Sequence, residues 1–431
     1  MLSTFAAKSF GQRGYLAAAD HIFTNLYGQK TPTIENAKKA GDFKSLGAIL
    51  AGGDNMRDEI LNTMQKAGQR GRGGAGFDTG AKWSFLPRDD GKQHYLVVNA
   101  DEGEPGTSKD RYILRNEPYK LIEGMIYSAF TIKATQAYIY IRGEFKEEQR
   151  AMQKAIDEAY KAGLLGPRAQ YPLDVHIHSG AGAYVCGEET ALLNSIEGKP
   201  GKPRHKPPYP ATQGLFMKPT IINNVETIAQ VPAILTRGLE WWTSLGTPAN
   251  HGTKLYTISG AVNKPCTVED AMGVTIGELI DEHAGGPTGG WENVQAIIPG
   301  GSSTLALTPE EARTAKMDFD SLRELGTEMG TGGIIVIPKD VDFVDVTARM
   351  ARFYAVESCG QCQPCKLGTH QMATTMAKIK AGTATQKDAD RLKRLTKIHG
   401  LTICALAGAA CQPIKGLLGP FRESLDSKLV E

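Results

Sequence analysis

The stretch Tyr95-Leu96-Val97-Val98-Asn99-Ala100-Asp101-Glu102-Gly103-Glu104-Pro105-Gly106 decides how the chain is read. Its first four residues are a short apolar run, the pattern of a strand buried on both faces. Three carboxylates follow within four residues, at what would be that strand's carboxyl end. Buried together they repel one another, so such a loop is costly unless a polyol, a metal or basic partners need its acceptors; the alternative is a solvated loop. Working outward, Asn116-Glu117-Pro118 reads as a helix start with proline in the first turn, and Leu121, Ile122, Met125, Ile126 and Phe130 share one face of that helix. Residues 137–141 read as a second strand. Residues 146–162 read as a helix striped by Met152, Ala155, Ile156, Ala159 and Tyr160 and stopped by Gly163. A third strand, 173–177, precedes a helix over 188–196. The alternation of strands and helices predicts right-handed crossovers and a parallel sheet, whose ligands bind beyond the carboxyl ends of the strands.

Upstream, a helix over 57–67 carries Ile60, Leu61, Met64 and Ala67 at helical spacing and runs into six glycines between positions 68 and 80. Glycine makes up 49 of the 431 residues, well above the ~7% average. Gly71-Arg72-Gly73-Gly74-Ala75-Gly76 matches G-x-G-x-x-G, but a helix precedes it and the next strand begins only at Tyr95. It is therefore not the strand-turn-helix dinucleotide fingerprint. Glycines also serve where backbone must approach a phosphate or planar ring, and Arg72 and Lys82 would add cationic donors; the plain alternative is a hinge. Ser179-Gly180-Ala181-Gly182 opens a second glycine loop that runs through Tyr184, Cys186 and Gly187 into Glu188 and Glu189. Those carboxylates would repel a phosphate at the helix start, so they are expected to face a sugar or ring. Asn223-Asn224-Val225-Glu226-Thr227 offers amides and a hydroxyl, or a capped helix start. One ligand touching all four polar segments must be large; a flavin nucleotide plus a nicotinamide nucleotide has that size.

Five prolines between positions 200 and 210 exclude a helix or central strand there and predict an extended loop. Residues 254–299 read as strand, strand, helix, strand, a small β-grasp pattern. From Val341 onward helical periodicity returns. That part holds Cys359-Gly360-Gln361-Cys362-Gln363-Pro364-Cys365, the spacing by which three thiolates take three corners of one iron–sulfur cubane. Cys404 is the expected fourth ligand and Cys411 its competitor; zinc, with His370 available, is the alternative metal. Cys186 and Cys266 stand alone and read as ordinary buried thiols. Seven cysteines, five of them near the C-terminus, suit metal ligation in a reducing compartment better than a disulfide framework. A formal charge of +2 names no nucleic-acid or lipid partner, and no apolar run has membrane-spanning length. Residues 1–19 hold Lys8 and Arg13 and no signal-peptide core, which argues against secretion and is compatible with a short matrix-targeting segment.

These motifs carry a resemblance. GRGGAGFDTG at 71–80 with Lys82-Trp83-Ser84-Phe85, NADEGEPGTSKD at 99–110, residues 180–187 and ESCGQCQPC at 357–365 resemble the NADH-binding flavoprotein subunits of respiratory complex I. The similarity begins near Asp20, in DHIFTNLYG, and runs to near the C-terminus. It implies FMN, a [4Fe-4S] cluster and oxidation of NADH to NAD+. Carried over by position, Gly71, Gly73, Lys82, Asn99, Asp101, Tyr184, Gly187, Glu188, Asn223, Asn224 and Thr227 would line the FMN site, and Arg72, Gly74 and Glu102 would be cofactor-binding residues beside them. Phe77, Phe85 and Tyr209 would cover the NADH adenine, Tyr209 standing where the family more often has Phe. Glu104 and Glu189 would contact NADH, Lys206 would sit near its phosphates, and Cys359, Cys362, Cys365 and Cys404 would hold the cluster. Anionic Glu188 and Glu189 are expected to favour NADH over NADPH. No side-chain catalyst is required for hydride transfer.

The expected fold is α/β: an N-terminal helical and extended segment (1–70), a Rossmann-like parallel-sheet flavin domain (71–240), a β-grasp domain (241–338) and a helical bundle with the cluster (339–431). The resemblance also implies partners, a small [2Fe-2S] subunit and a large multi-cluster iron–sulfur subunit. Membrane contact would come only through the complex, at the cytoplasmic face of a bacterial inner membrane or the matrix side of a mitochondrial one. The nearest alternative is the diaphorase subunit of an NAD-reducing hydrogenase or formate dehydrogenase. A rival of another class is a zinc-bearing scaffold without catalysis.

Overall fold

Four strands, β1 His94–Ala100, β2 Ala134–Ile141, β3 Asp174–Ser179 and β4 Thr220–Asn224, form an all-parallel sheet in the order β3-β2-β1-β4. The computed structural model describes residues 16–88, 90–398 and 400–430; Lys8 and Arg13 of the candidate targeting segment lie outside them. The parallel sheet agrees with the sequence. Strand β4 was not legible, because Ile221-Ile222 is too short an apolar run; its pairing with β1, Leu96 opposite Ile221 and Val97 opposite Ile222, makes it a strand. Strand order reverses beside β1, and crossovers that leave in opposite directions open a crevice at the carboxyl ends of β1 and β4.

Alternation along β1 divides the core in two. Leu96, Val98 and Ala100 pack with the helices Pro118–Thr131 and Val225–Arg237, while Val97 faces Val185, Leu192 and the C-terminal helices. The first two helices approach so closely that a Cβ on Gly124 would lie 2.0 Å from the carbonyl oxygen of Ile228. Gly124→Ala must push them apart, and we expect a loss of about 1–3 kcal/mol in chemical denaturation, as overpacking of a tight core costs. An unchanged midpoint would show that the contact can relax.

Residues 22–50 join this first core through Ile22, Phe23, Leu26, Ile34, Leu46 and Leu50. The N-terminal segment is also tied to the second sheet: the N–H groups of Ile22 and Phe23 donate to the buried carboxylate of Glu269. That sheet contains β5 Thr253–Gly260, β6 Cys266–Ala271, β7 Val294–Ile298 and β8 Gly333–Pro338 in the order β6-β5-β8-β7. The central pair β5 and β8 is parallel and both flanking pairs are antiparallel. With Ile276, Leu279 and Ile280 of one helical segment packed on Tyr256, Ile258, Ile334 and Val336, this is the expected β-grasp. Among the described residues four long helices follow, Phe343–Glu357, Gln363–Lys380, Gln386–Leu395 and Leu406–Leu418, and then a short one, Arg422–Asp426. They share the core that covers the Val97 side of the parallel sheet. Among the described residues no helix is long and apolar enough to cross a membrane.

Candidate functional site

The crevice above β1 and β4 is a cleft of about 670 Å³. The acidic loop, the two glycine loops and Asn224 form its floor; Ser303, Gly330 and Thr331 of the β-grasp domain and Thr402, Cys404, Leu406, Ala409 and Gln412 of the bundle form its walls. The glycine loop is set by the Gly53–Ala67 helix, which ends at Gly68 with φ +56°, and by a new helix, Thr79–Ser84, capped by Asp78. Between them the Gly71 N–H donates to the Phe77 carbonyl at 2.8 Å, and Gly74 turns with φ +120°, a conformation L side chains rarely adopt.

Of the residues carried over from sequence, Gly73, Gly74, Asn99, Asp101, Glu102, Glu104, Tyr184, Gly187, Glu188 and Asn224 line this one cleft. Their hydrogen bonds explain their placement. The Asn99 amide donates to the Gly187 carbonyl at 2.8 Å and joins the two loops. Glu102 accepts the backbone N–H groups of Lys109, Asp110 and Arg111, capping the Asp110–Asn116 helix, and burial pushes its carboxyl up to about 7. Glu104 accepts from the Tyr184 hydroxyl at 2.6 Å and the Ser303 N–H at 2.8 Å. Glu188 spends one oxygen on the N–H groups of Thr190 and Ala191, so it fills that helix N-terminus itself.

Other expected residues lie elsewhere. Arg72 does not offer its cation to a ligand, contrary to expectation; its guanidinium is buried, donating to the Arg70 and His251 carbonyls at 2.9 Å and to Gln230 at 3.2 Å. The Trp242 ring beneath it supplies a second attraction. Thr227 accepts the Arg72 N–H and Asn223 accepts the Trp83 indole N–H, so both act on the loop beside the cleft. Lys82 donates to Glu189 and the Ile222 carbonyl, both at 2.8 Å, while Lys206 donates to Glu188 at 3.0 Å and Glu189 at 2.9 Å. Burial opposes ionisation of Glu189, yet the two lysines outweigh it and hold its carboxyl down at about 2. These four side chains neutralise one another, so bare negative charge does not by itself repel a 2′-phosphate. Phe77 and Phe85 stand 53% and 57% exposed with ring centroids 6.1 Å apart, and Tyr209 is 60% exposed.

Sequence reasoning missed an ionic network under the cleft floor. Fully buried Glu226 receives the Leu255 N–H of β5 at 2.7 Å and faces the ammonium groups of Lys109 at 2.8 Å and Lys254 at 3.5 Å. Lys109 also pairs with Asp110 at 2.7 Å. Burial pushes the Lys254 ammonium down to about 7, since only Glu226 attracts it closely. Lys109-Asp110 ends the acidic motif and Glu226 follows Asn223-Asn224, but nothing local marks them as partners.

The donor set fits a flavin nucleotide. Among the described residues buried Asp101 Oδ2 has no hydrogen-bond partner, and burial pushes its carboxyl up to about 7. A ribityl hydroxyl would satisfy that atom. A second, small cavity is lined by all four predicted cysteines, Cys359, Cys362, Cys365 and Cys404, with Pro203, Ile403 and Leu406 around them. The Ile403 N–H points at Cys362 Sγ at 3.4 Å. Cys411 is instead buried in the last long helix, its thiol donating to the Ala407 carbonyl. Among the described residues no three His, Cys, Asp or Glu side chains converge on a position for a single metal ion. Four thiols spread around an apolar chamber suit a cluster with its own bridging sulfides better than zinc.

Comparison with known proteins agrees with this division of labour. Residues 64–233 match the Nuo51 FMN-binding domain, residues 254–337 the SLBB domain, and residues 345–428 the NADH-ubiquinone oxidoreductase-F iron-sulfur binding region. The NADH-quinone oxidoreductase F-subunit of Rickettsia bellii is 53% identical over 96% of this chain and 100% of its own length. One F-subunit of the same enzyme from Rhizobium meliloti is 51% identical over 96% of this chain and 95% of its length. Among solved structures, an NAD+-reducing [NiFe]-hydrogenase in the H2-reduced state superposes with a TM-score of 0.80 at 39% identity. That match covers 87% of this chain, and the chain spans 63% of the hydrogenase chain. With more than half of the aligned residues identical in relatives matched over 95% or more of their length, the chain belongs to the NADH-quinone oxidoreductase F-subunit family.

Proposed function

We propose that this chain oxidises NADH and delivers the electrons singly toward quinone, as the electron-input subunit of a respiratory complex I. The observation that carries the reading is that Thr402, Cys404 and Leu406 line both the cleft and the four-cysteine cavity, so one thin wall separates them. Bound FMN supplies conversion of a two-electron hydride donor into one-electron output, and the [4Fe-4S] cluster supplies the one-electron relay. The protein's part is position and electrostatics. Asn99, Asp101, Glu102, Tyr184, Gly187, Glu188 and Asn224 would hold the flavin. Gly73 and Gly74 would let backbone approach the ring. Glu104, held by Tyr184 and Ser303, would orient the nicotinamide. Exposed Phe77, Phe85 and Tyr209 would cover the adenine, and Cys359, Cys362, Cys365 and Cys404 would hold the cluster.

Glu189 would set nucleotide preference through the lysines it neutralises. Glu189→Ala removes the carboxylate that pairs with Lys82 and leaves Lys206 paired with Glu188 alone, a local gain of positive charge. The kcat/KM ratio of NADPH to NADH is expected to rise by roughly 10-fold, the size of a charge-pair effect near a partly buried site. An unchanged ratio would remove Glu189 from the nucleotide site.

The domain division at 71–240, 241–338 and 339–431 belongs to the same reading. So do the specific partners, a small [2Fe-2S] subunit and a large multi-cluster subunit, and a peripheral position on the cytoplasmic face of a bacterial membrane. The hydrogenase likeness favours a diaphorase subunit as the second reading. Gentle purification distinguishes them: flavin and iron–sulfur absorption bands that bleach with NADH, together with quinone-reductase subunits, are the expected outcome. A nickel hydrogenase partner would replace the first reading with the second, and a colourless protein would sink both.

A further inference from the structure

Glu104 is gripped from three parts of the fold. The Tyr184 hydroxyl donates to its Oε2 at 2.6 Å, while Oε1 takes the Ser303 N–H at 2.8 Å and the Ser302 hydroxyl at 3.1 Å. The two serines stand in the loop after β7. Gly301, with φ +94°, lets that loop come close, since a Cβ there would lie 2.5 Å from Glu104 Cγ. Ser302 is itself held: its Oγ lies 2.8 Å from the hydroxyl of Tyr354 on the Phe343–Glu357 helix, and both residues are fully buried.

A serine hydroxyl has one hydrogen, so with Ser302 giving it to Glu104 the Tyr354 hydroxyl is the donor to Ser302. The order is therefore Tyr354 to Ser302 to Glu104, each bond polarising the next. The last turn of the same helix also fixes the other hydroxyl donor, because Glu357 accepts the Tyr184 N–H at 3.0 Å. An ionised carboxylate offers about four acceptor positions. Two are filled on Oε1 and one on Oε2, which leaves one on Oε2 for a donor in the cleft that Glu104 lines. Burial pushes the Glu104 carboxyl up, and the Tyr184, Ser303 and Ser302 donors act against that. Packing explains the Tyr354 ring, which meets those of Phe353 and Tyr184 at centroid distances of 5.2 and 6.1 Å, but not its hydroxyl.

We propose that Ser302 and Tyr354 are positioning residues for NADH oxidation, a strut of two hydroxyls that fixes the plane of the Glu104 carboxylate so that its free acceptor position meets the carboxamide N–H of the nicotinamide. Both are buried, so they act through Glu104 and not on the nucleotide. The inference rests on the role given to Glu104 in the function proposed above.

The test is a double-mutant cycle on the full chain loaded with FMN and cluster. It has two readouts: the rate of flavin bleaching at saturating NADH, and the Kd, by calorimetry, of tetrahydro-NAD, an analogue that keeps the carboxamide but gives no hydride. Tyr354→Phe keeps the ring and leaves the Ser302 hydroxyl on Glu104. It is expected to slow bleaching roughly 10-fold and to raise that Kd several-fold, the size of one hydrogen bond's contribution, with bleaching by dithionite unchanged. Ser302→Ala breaks the same chain from the loop side, should give the same two losses, and carries the cycle if Tyr354→Phe does not hold its cofactors. In a Glu104→Ala background neither substitution should add to either readout. Additive losses there would make both residues merely structural and overturn the inference, as would wild-type values for the two single variants. If Glu104→Ala alone leaves both readouts unchanged, the role of Glu104 fails and the inference with it. A wild type that NADH does not bleach would defeat the proposed function itself, and the inference would fall with that.

Discussion

Cys404→Ala is expected to abolish the [4Fe-4S] absorption and paramagnetic signal and to drop quinone-dependent NADH oxidation to near background, while NADH still bleaches the flavin. The reason is geometric. Cys404 lines the cavity with Cys359, Cys362 and Cys365 and also lines the cleft, so its loss would remove the fourth thiol that would hold the cluster, on the wall the two share. Cys411→Ser is the control: that side chain is buried away from the cavity, and a hydroxyl can keep the bond to the Ala407 carbonyl. The reverse outcome, cluster lost with Cys411→Ser and kept with Cys404→Ala, would exchange the two assignments.

Glu226→Gln is expected to destabilise the protein by about 3–5 kcal/mol, because removing one member of a buried charge group leaves the others uncompensated. A glutamine can still accept the Leu255 N–H, but Lys109, Lys254 and Arg72 would lose the carboxylate that all three face, and Lys109 would keep its pair with Asp110. Burial raises the Glu226 carboxyl while Lys109, Lys254 and Arg72 lower it further, for a net fall from 4.5. Its stabilising contribution is therefore present above pH 4.5 and is lost as pH falls through the lower folded value. Lys254 behaves oppositely. Its ammonium falls from 10.5 to about 7 by burial, so the native state binds fewer protons than the unfolded state between those values. Stability should rise with pH across that window, by up to about 1.4 kcal/mol per unit from this group. Lys254→Met should erase that slope and cost far less than Glu226→Gln, since Lys109 keeps its 2.8 Å pair. Denaturation series at several pH values check both; parallel slopes for wild type and Lys254→Met would show that Lys254 is not buried as a titrating charge.

Local pattern reached far in this chain where function and backbone coincide. The strands at Tyr95, Ala137 and Val175, the stripe Met152, Ala155, Ile156 and Ala159, and the β-grasp order were legible because burial on one or both faces writes itself as periodicity. The cysteine spacing was legible because a cubane constrains the distances between its ligands. Arg72 misled because a cation in a glycine loop looks the same in sequence whether it faces ligand or core. Glu189, Lys82 and Lys206 each stand out in the sequence, but their mutual neutralisation depends on three segments that only the fold brings together.

The parallel α/β order, the β-grasp and helical segments, the acidic and glycine loops and the set of thiols are all written in residues close along the chain, and so they could be read without coordinates. Contacts across the fold were needed to establish that β4 exists, that Cys404 rather than Cys411 completes the cavity, and that Glu226 holds Lys109 and Lys254 beneath the floor. The wall shared by the cleft and the four-cysteine cavity is of the same kind. In each case pairing, burial and charge compensation are set by residues far apart in sequence, where neither propensity nor spacing carries information.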